Sequence, residues 1–239
     1  MRRSWTILDF ILIWLASAVF AFAGAQLAAG RPVGVATLAT LAAQYVAMLA
    51  ALWLIQNYRS EPVTLAIEPG DMRYAALGMG LQIVVAILLT PLARILLDDP
   101  EGPPQQIGEI IASGDHDPAV RIGLFLSAAF LAPLTEELLY RGVLFKAFRR
   151  RGRWVAIVGS AVVFGTVHLL GLDRDSLWAT AAVVIPPLVI LGLLLAWTTE
   201  RKGRIGPAFF LHSGWNLLAA LILLIPQDLV DRATELAGR

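Results

Sequence analysis

Apolar residues along this chain fall in runs of about 20, broken by short stretches of Arg, Asp, Glu, Pro and Gly, and a run of that length crosses roughly 30 Å of hydrocarbon as a helix. Seven such segments can be drawn, at Trp5–Ala29, Val33–Gln56, Tyr74–Leu97, Ile122–Phe148, Trp154–Leu172, Trp178–Thr198 and Ile205–Ile225. The pattern predicts an all-α, polytopic transmembrane helix bundle, a single integral-membrane domain over residues 1–239 with no stretch long enough for a separate soluble unit. The first run follows Met1-Arg2-Arg3, is too long for a signal peptide and shows no clear cleavage site, so it reads as a span. Between the third and fourth runs, Pro100, Pro103 and Pro104 imply irregular chain, and Ile107 to Ala112 fit a short interfacial helix. After Pro226, Leu229, Val230, Ala233 and Leu236 share one helical face, as in a helix lying on the membrane surface.

Composition agrees, with 58% hydrophobic residues and a mean hydropathy of +0.71. The net charge of +1 conceals a segregation. The loop from Lys146 to Arg153 carries five basic residues and no acid, and Arg201, Lys202 and Arg204 mark a second basic loop. By the positive-inside rule both face the cytoplasm, and alternation then places the N-terminus there and the C-terminus outside. Asp98, Asp99, Glu101, Glu109, Asp115 and Asp117 sit together on the segment assigned to the outer side. Nothing in the charge pattern points to nucleic acid. Cysteine is absent, which excludes disulfides, thiol catalysis and cysteine-ligated metals. The expected setting is a prokaryotic cytoplasmic membrane, and the bias of 17 Arg to two Lys fits a GC-rich genome.

Three polar sets interrupt the apolar runs. Glu136-Glu137-x-x-x-Arg141 lies in the fourth, and a carboxylate at bilayer depth costs on the order of 2.5–3.5 kcal/mol, so two of them call for a role. Glu137 and Arg141 are four apart with the acid first, the favourable order for a helical ion pair, whereas Glu136 points about 100° away. One carboxylate can be held while the other acts. Phe164-x-x-x-His168 lies in the fifth run, and His212-x-x-x-Asn216 in the seventh with both side chains on one face. At about 1.5 Å per residue from the basic ends, Glu136, His168, His212 and Asn216 stand roughly 18, 21, 10 and 16 Å deep, a single central slab. Asp9 and Arg94 read as interfacial snorkelling groups, and His116 as a residue of the acidic loop without a specific role. Gly159, Ala161 and Gly165 form a small-residue face suited to close helix approach, and Pro186-Pro187 should kink the sixth span and free backbone carbonyls.

In order and spacing these motifs resemble those of the CAAX protease and bacteriocin-processing family, also called the ABI family, which includes the type II CAAX prenyl endopeptidases. The resemblance covers residues 131–221, the motif-bearing core, and family members often have eight spans where seven are counted here. It implies an intramembrane endopeptidase that hydrolyses a peptide bond with activated water. Glu136 corresponds to the general base, His168 to its partner in holding the water, and His212 with Asn216 to the groups stabilising the oxyanion. Glu137, Arg141 and Phe164 correspond to supporting residues. A peptide or protein with a lipidated C-terminus would be the substrate of the best-known members. No cofactor is favoured, with a zinc site from Glu136, His168 and His212 as the alternative. Two other readings compete: a non-proteolytic scaffold or immunity protein, and a proton or ion carrier, for which the paired inverted repeats of transporters are not found.

Overall fold

The computed structural model describes residues 3–97, 117–172 and 177–222. The interfacial helix expected at Ile107 to Ala112, His116, all the acids of that loop except Asp117, and the surface helix after Pro226 lie outside the described residues, as does the side chain of Arg94.

Seven helices follow the seven apolar runs: α1 (Ile7–Leu27), α2 (Val33–Gln56), α3 (Arg73–Leu97), α4 (Pro118–Arg149), α5 (Arg153–Val167), α6 (Leu177–Lys202) and α7 (Gly206–Ile222). Among the described residues there is no β-strand, and the first six helices are long and apolar enough to cross a membrane. The protein is an integral membrane protein. α1 and α2 form one antiparallel pair, α5 and α6 another, and α3 runs beside α7. α4 packs on α1, α2, α5, α6 and α7. It is also the most enclosed span, with 44% of its apolar window buried against at most 39% elsewhere, and it is the helix that carries both glutamates.

The basic residues gather at one end of the bundle. Arg149 and Arg153 from the α4–α5 loop both reach Glu200 near the end of α6, at 2.9 and 3.6 Å. Arg204, between α6 and α7, clamps Glu68 and Asp71 at the start of α3. Asp9 corrects its sequence reading: it is almost fully buried, closes a capping box with Thr6 at the start of α1, and pairs with Arg59 beyond α2. A capped, paired carboxylate of this kind ties two helix ends together instead of reaching for water.

Close approaches fix how the helices face one another. Ala161 and Gly165 on α5 meet Gly192 and Val189 on α6, as the small-residue face predicts, whereas Gly159 meets the Phe148 ring of α4. Gly214 on α7 lies against the Ala75 backbone of α3, where a methyl group would overlap the carbonyl. Because Gly214 is about 200° around the helix from His212, this contact presses His212 towards α4. Pro186 and Pro187 do not interrupt α6, which stays helical from Leu177 to Lys202.

Candidate active site

α4 is not a regular helix, and its two irregularities place the polar groups. Residues Ser127–Leu131 and Leu138–Leu144 are π-helical, a form that recurs at functional sites. In the first, the Ala132 N–H bonds Ser127 O, five residues back, and so bypasses Ala128 O. The donor five residues beyond Ala128 would be residue 133, a proline without N–H. The orphaned Ala128 carbonyl accepts Asn216 Nδ2 at 2.9 Å. Pro133 and the π turn thus create the acceptor that orients Asn216, and one N–H of its amide remains for another partner.

The adjacent glutamates have different surroundings. Glu137 is fully buried: Oε2 lies 3.2 Å from Arg141 Nε, and Oε1 lies 3.1 Å from His212 Nδ1. Arg141 is held in turn by Gly192 O, to which Nη2 donates at 3.1 Å, and by the Phe164 ring 4.8 Å beneath its guanidinium. Glu136 makes no ion pair with Arg141, and its side chain keeps 25% exposure. Its Oε2 is 3.8 Å from His212 Nε2, too long for a direct hydrogen bond and spaced so that one water could touch both groups.

Phe164 is the hub. Its fully buried ring stands edge-on to His168 at 5.1 Å and to His212 at 5.5 Å, with Tyr140 on a third side at 5.2 Å. His168 lies at the end of α5, opening a 3₁₀ turn (His168–Gly171), so it belongs to the helix terminus and not to the span interior. Its Nδ1 lies 2.8 Å from Phe164 O, and since a carbonyl only accepts, Nδ1 carries a proton; in the neutral ring that tautomer has Nε2 as an acceptor.

Glu136, Glu137, Arg141, Phe164 and His212 are therefore brought into one connected cluster with His168 on its central ring, while Asn216 is anchored on α4 through Ala128. Among the described residues no three His, Asp or Glu side chains are placed to hold a metal ion together. Of the alternative zinc set Glu136, His168 and His212, each histidine has Nδ1 on an oxygen acceptor, Phe164 O and Glu137 Oε1 respectively, which leaves Nε2 as the nitrogen a metal would take.

Residues 118–218 match the family model described as type II CAAX prenyl endopeptidase Rce1-like. This segment is similar to that family, which is one of proteases. It contains all three polar motifs and the whole of the cluster just described. No curated protein and no solved structure gives a significant match to the chain.

Sequence reasoning passed over several buried polar groups. Tyr45 of α2 and Tyr140 of α4 are buried within electrostatic reach of Glu136. Gln82 on α3 has a buried, unpartnered Oε1. The available signal was a lone polar or phenolic residue inside an apolar run, which is weak where no motif accompanies it.

Proposed function

We propose that the protein is an intramembrane endopeptidase in which Glu136 activates water to hydrolyse a peptide bond. The observation that carries this reading is the asymmetry of the two glutamates: Glu137 is immobilised between Arg141 and His212, whereas Glu136 is partly open, has no Arg or Lys partner and stands 3.8 Å from His212. A general base needs an oxygen that can take a proton, and a carboxylate already shared between a guanidinium and an imidazole is poorly suited to that.

In this mechanism Glu136 removes a proton from water as the water oxygen attacks the substrate carbonyl, and His168 Nε2, left as an acceptor by its tautomer, helps hold the same water. The carbonyl oxygen becomes an oxyanion facing the remaining Asn216 N–H and His212 Nε2. For Nε2 to donate, His212 must carry protons on both nitrogens, and Glu137 supplies the countercharge at Nδ1. The oxyanion then collapses to a carboxyl group, the C–N bond breaks, and Glu136 delivers its proton to the leaving amine nitrogen, restoring the starting state. The basic end of the bundle faces the cytoplasm on the positive-inside rule, and a lipidated peptide is the substrate class suggested by the family.

The test is proteolysis of tagged membrane peptides in cells expressing the wild type or Glu136→Gln, with cleavage sites read by mass spectrometry. Cleavage should depend on Glu136 and fall by roughly 10²–10⁴ fold in the variant. Retention of more than about a tenth of the activity removes Glu136 as the base, and a cellular phenotype that survives the substitution intact would favour a scaffold.

A further inference from the structure

At the basic end of the bundle a pocket of about 190 Å³ opens between the 62–66 loop, α4, the end of α6 and the α6–α7 loop. Its lining includes Arg141, Lys146, Thr199, Glu200 and Arg204. Arg141 lines the pocket and spends Nε on Glu137 and Nη2 on Gly192 O. Three buried polar atoms of its lining residues have no hydrogen-bond partner: Arg141 Nε, which still has its ion-pair contact with Glu137, and Arg141 Nη1 and Thr199 Oγ1, which have no polar contact at all. Buried polar groups left unpaired are costly and rare in folded proteins, so two in one cavity point to something that fills it.

The charges say what. Arg204 is satisfied by Glu68 and Asp71, and Glu200 by Arg149 and Arg153. Lys146 has one N–H on Pro62 O and a long contact of 3.6 Å to the exposed Glu61, which leaves it donor capacity. Arg141 Nη1, Thr199 Oγ1 and Lys146 Nζ are therefore the unspent donors, and they suit an acceptor with two oxygens. Glu200 on the wall opposes a second negative charge, which selects a monoanion over a phosphate dianion. We propose that this pocket is a carboxylate-binding subsite, seated on Arg141, Thr199 and Lys146 and entered from the basic end.

The subsite stands apart from the catalytic reading, because its occupancy is read without turnover. Purified protein in detergent is titrated with sodium acetate, N-acetylglycine or N-acetylglycinamide against sodium chloride at matched ionic strength, and thermal unfolding is followed. Acetate and N-acetylglycine should raise Tm by about 2–4 °C at saturation over the chloride control, and the neutral amide should not. Half-saturation should shift at least about tenfold in Thr199→Val and in Lys146→Gln, and stay in place in Arg31→Gln at the opposite end. Equal potency of the two acids assigns the site to free small carboxylates, and a clear preference for N-acetylglycine assigns it to the carboxy terminus of a peptide. A Tm indifferent to both acids, or a response unchanged in Thr199→Val and Lys146→Gln, overturns the proposal and leaves the pocket to water.

Discussion

Arg141→Ala should cost far more stability than its single ion pair suggests. The guanidinium and the Glu137 carboxylate are both fully buried and 3.2 Å apart, so removing the cation leaves a charged group in a dry interior, a loss of about 3–5 kcal/mol in comparable buried pairs. The Arg141 contact with Gly192 O and the stacking on Phe164 disappear with it. For a chain of 239 residues, where 1 kcal/mol moves Tm by roughly 2–4 °C, the expected fall is about 6–20 °C. Glu137→Gln should be milder, since the amide oxygen still accepts from His212 Nδ1 and Arg141 keeps Gly192 O and the Phe164 face. The double variant leaves no stranded charge, so its loss should be smaller than the sum of the two singles by about 1–3 kcal/mol. Thermal unfolding of the four proteins in one detergent gives this coupling directly. Additivity within about 0.5 kcal/mol would refute the pairing, and with it the claim that Glu137 is held so that Glu136 is left free to act.

Asn216→Ala should lower kcat by roughly 10²–10³ fold with little change in KM, as expected of an oxyanion donor; a change confined to KM, measured on the same peptide, would make it a substrate-binding residue. Pro133→Ala offers Ala128 O a backbone donor and so competes with Asn216 for it; a kcat loss smaller than that of Asn216→Ala is expected, and wild-type kinetics would show that Asn216 does not depend on that anchor. Gly214→Ala drives a methyl into the Ala75 carbonyl of α3 and should destabilise by about 1–3 kcal/mol, read as a lower Tm, with the shift of α7 felt as reduced activity. Exhaustive chelation of purified, active protein combined with elemental analysis should leave activity intact with zinc well below one per chain; stoichiometric zinc lost together with activity would reverse the reading of Glu136 as an unassisted base.

Much of this molecule is legible in its sequence, because in lipid each backbone polar group must be satisfied within its own segment, so long apolar runs have only the helix open to them. All seven runs proved helical, and the pairing of Glu137 with Arg141 followed from a spacing of four on one helix. Local rules of this kind reach only along one segment. The π turns of α4 depend on packing as well as on Pro133, and they decide that Asn216 is oriented by Ala128 O, a bond between residues 88 apart. His212 looked like the partner of Asn216 on its own helix. Its ring instead meets Glu137 directly and faces Glu136 across 3.8 Å, with Gly214 letting α3 lie close against α7. Asp9 read as a snorkelling group because its partner Arg59 lies 50 residues away, across the end of α2. The sequence by itself marked the polar residues that interrupt the apolar runs, since the cost of burying charge is paid along the chain. Which carboxylate is tied down, and what the His212 ring meets, was decided by distances between helices, and those depend on how side chains from different segments fit together.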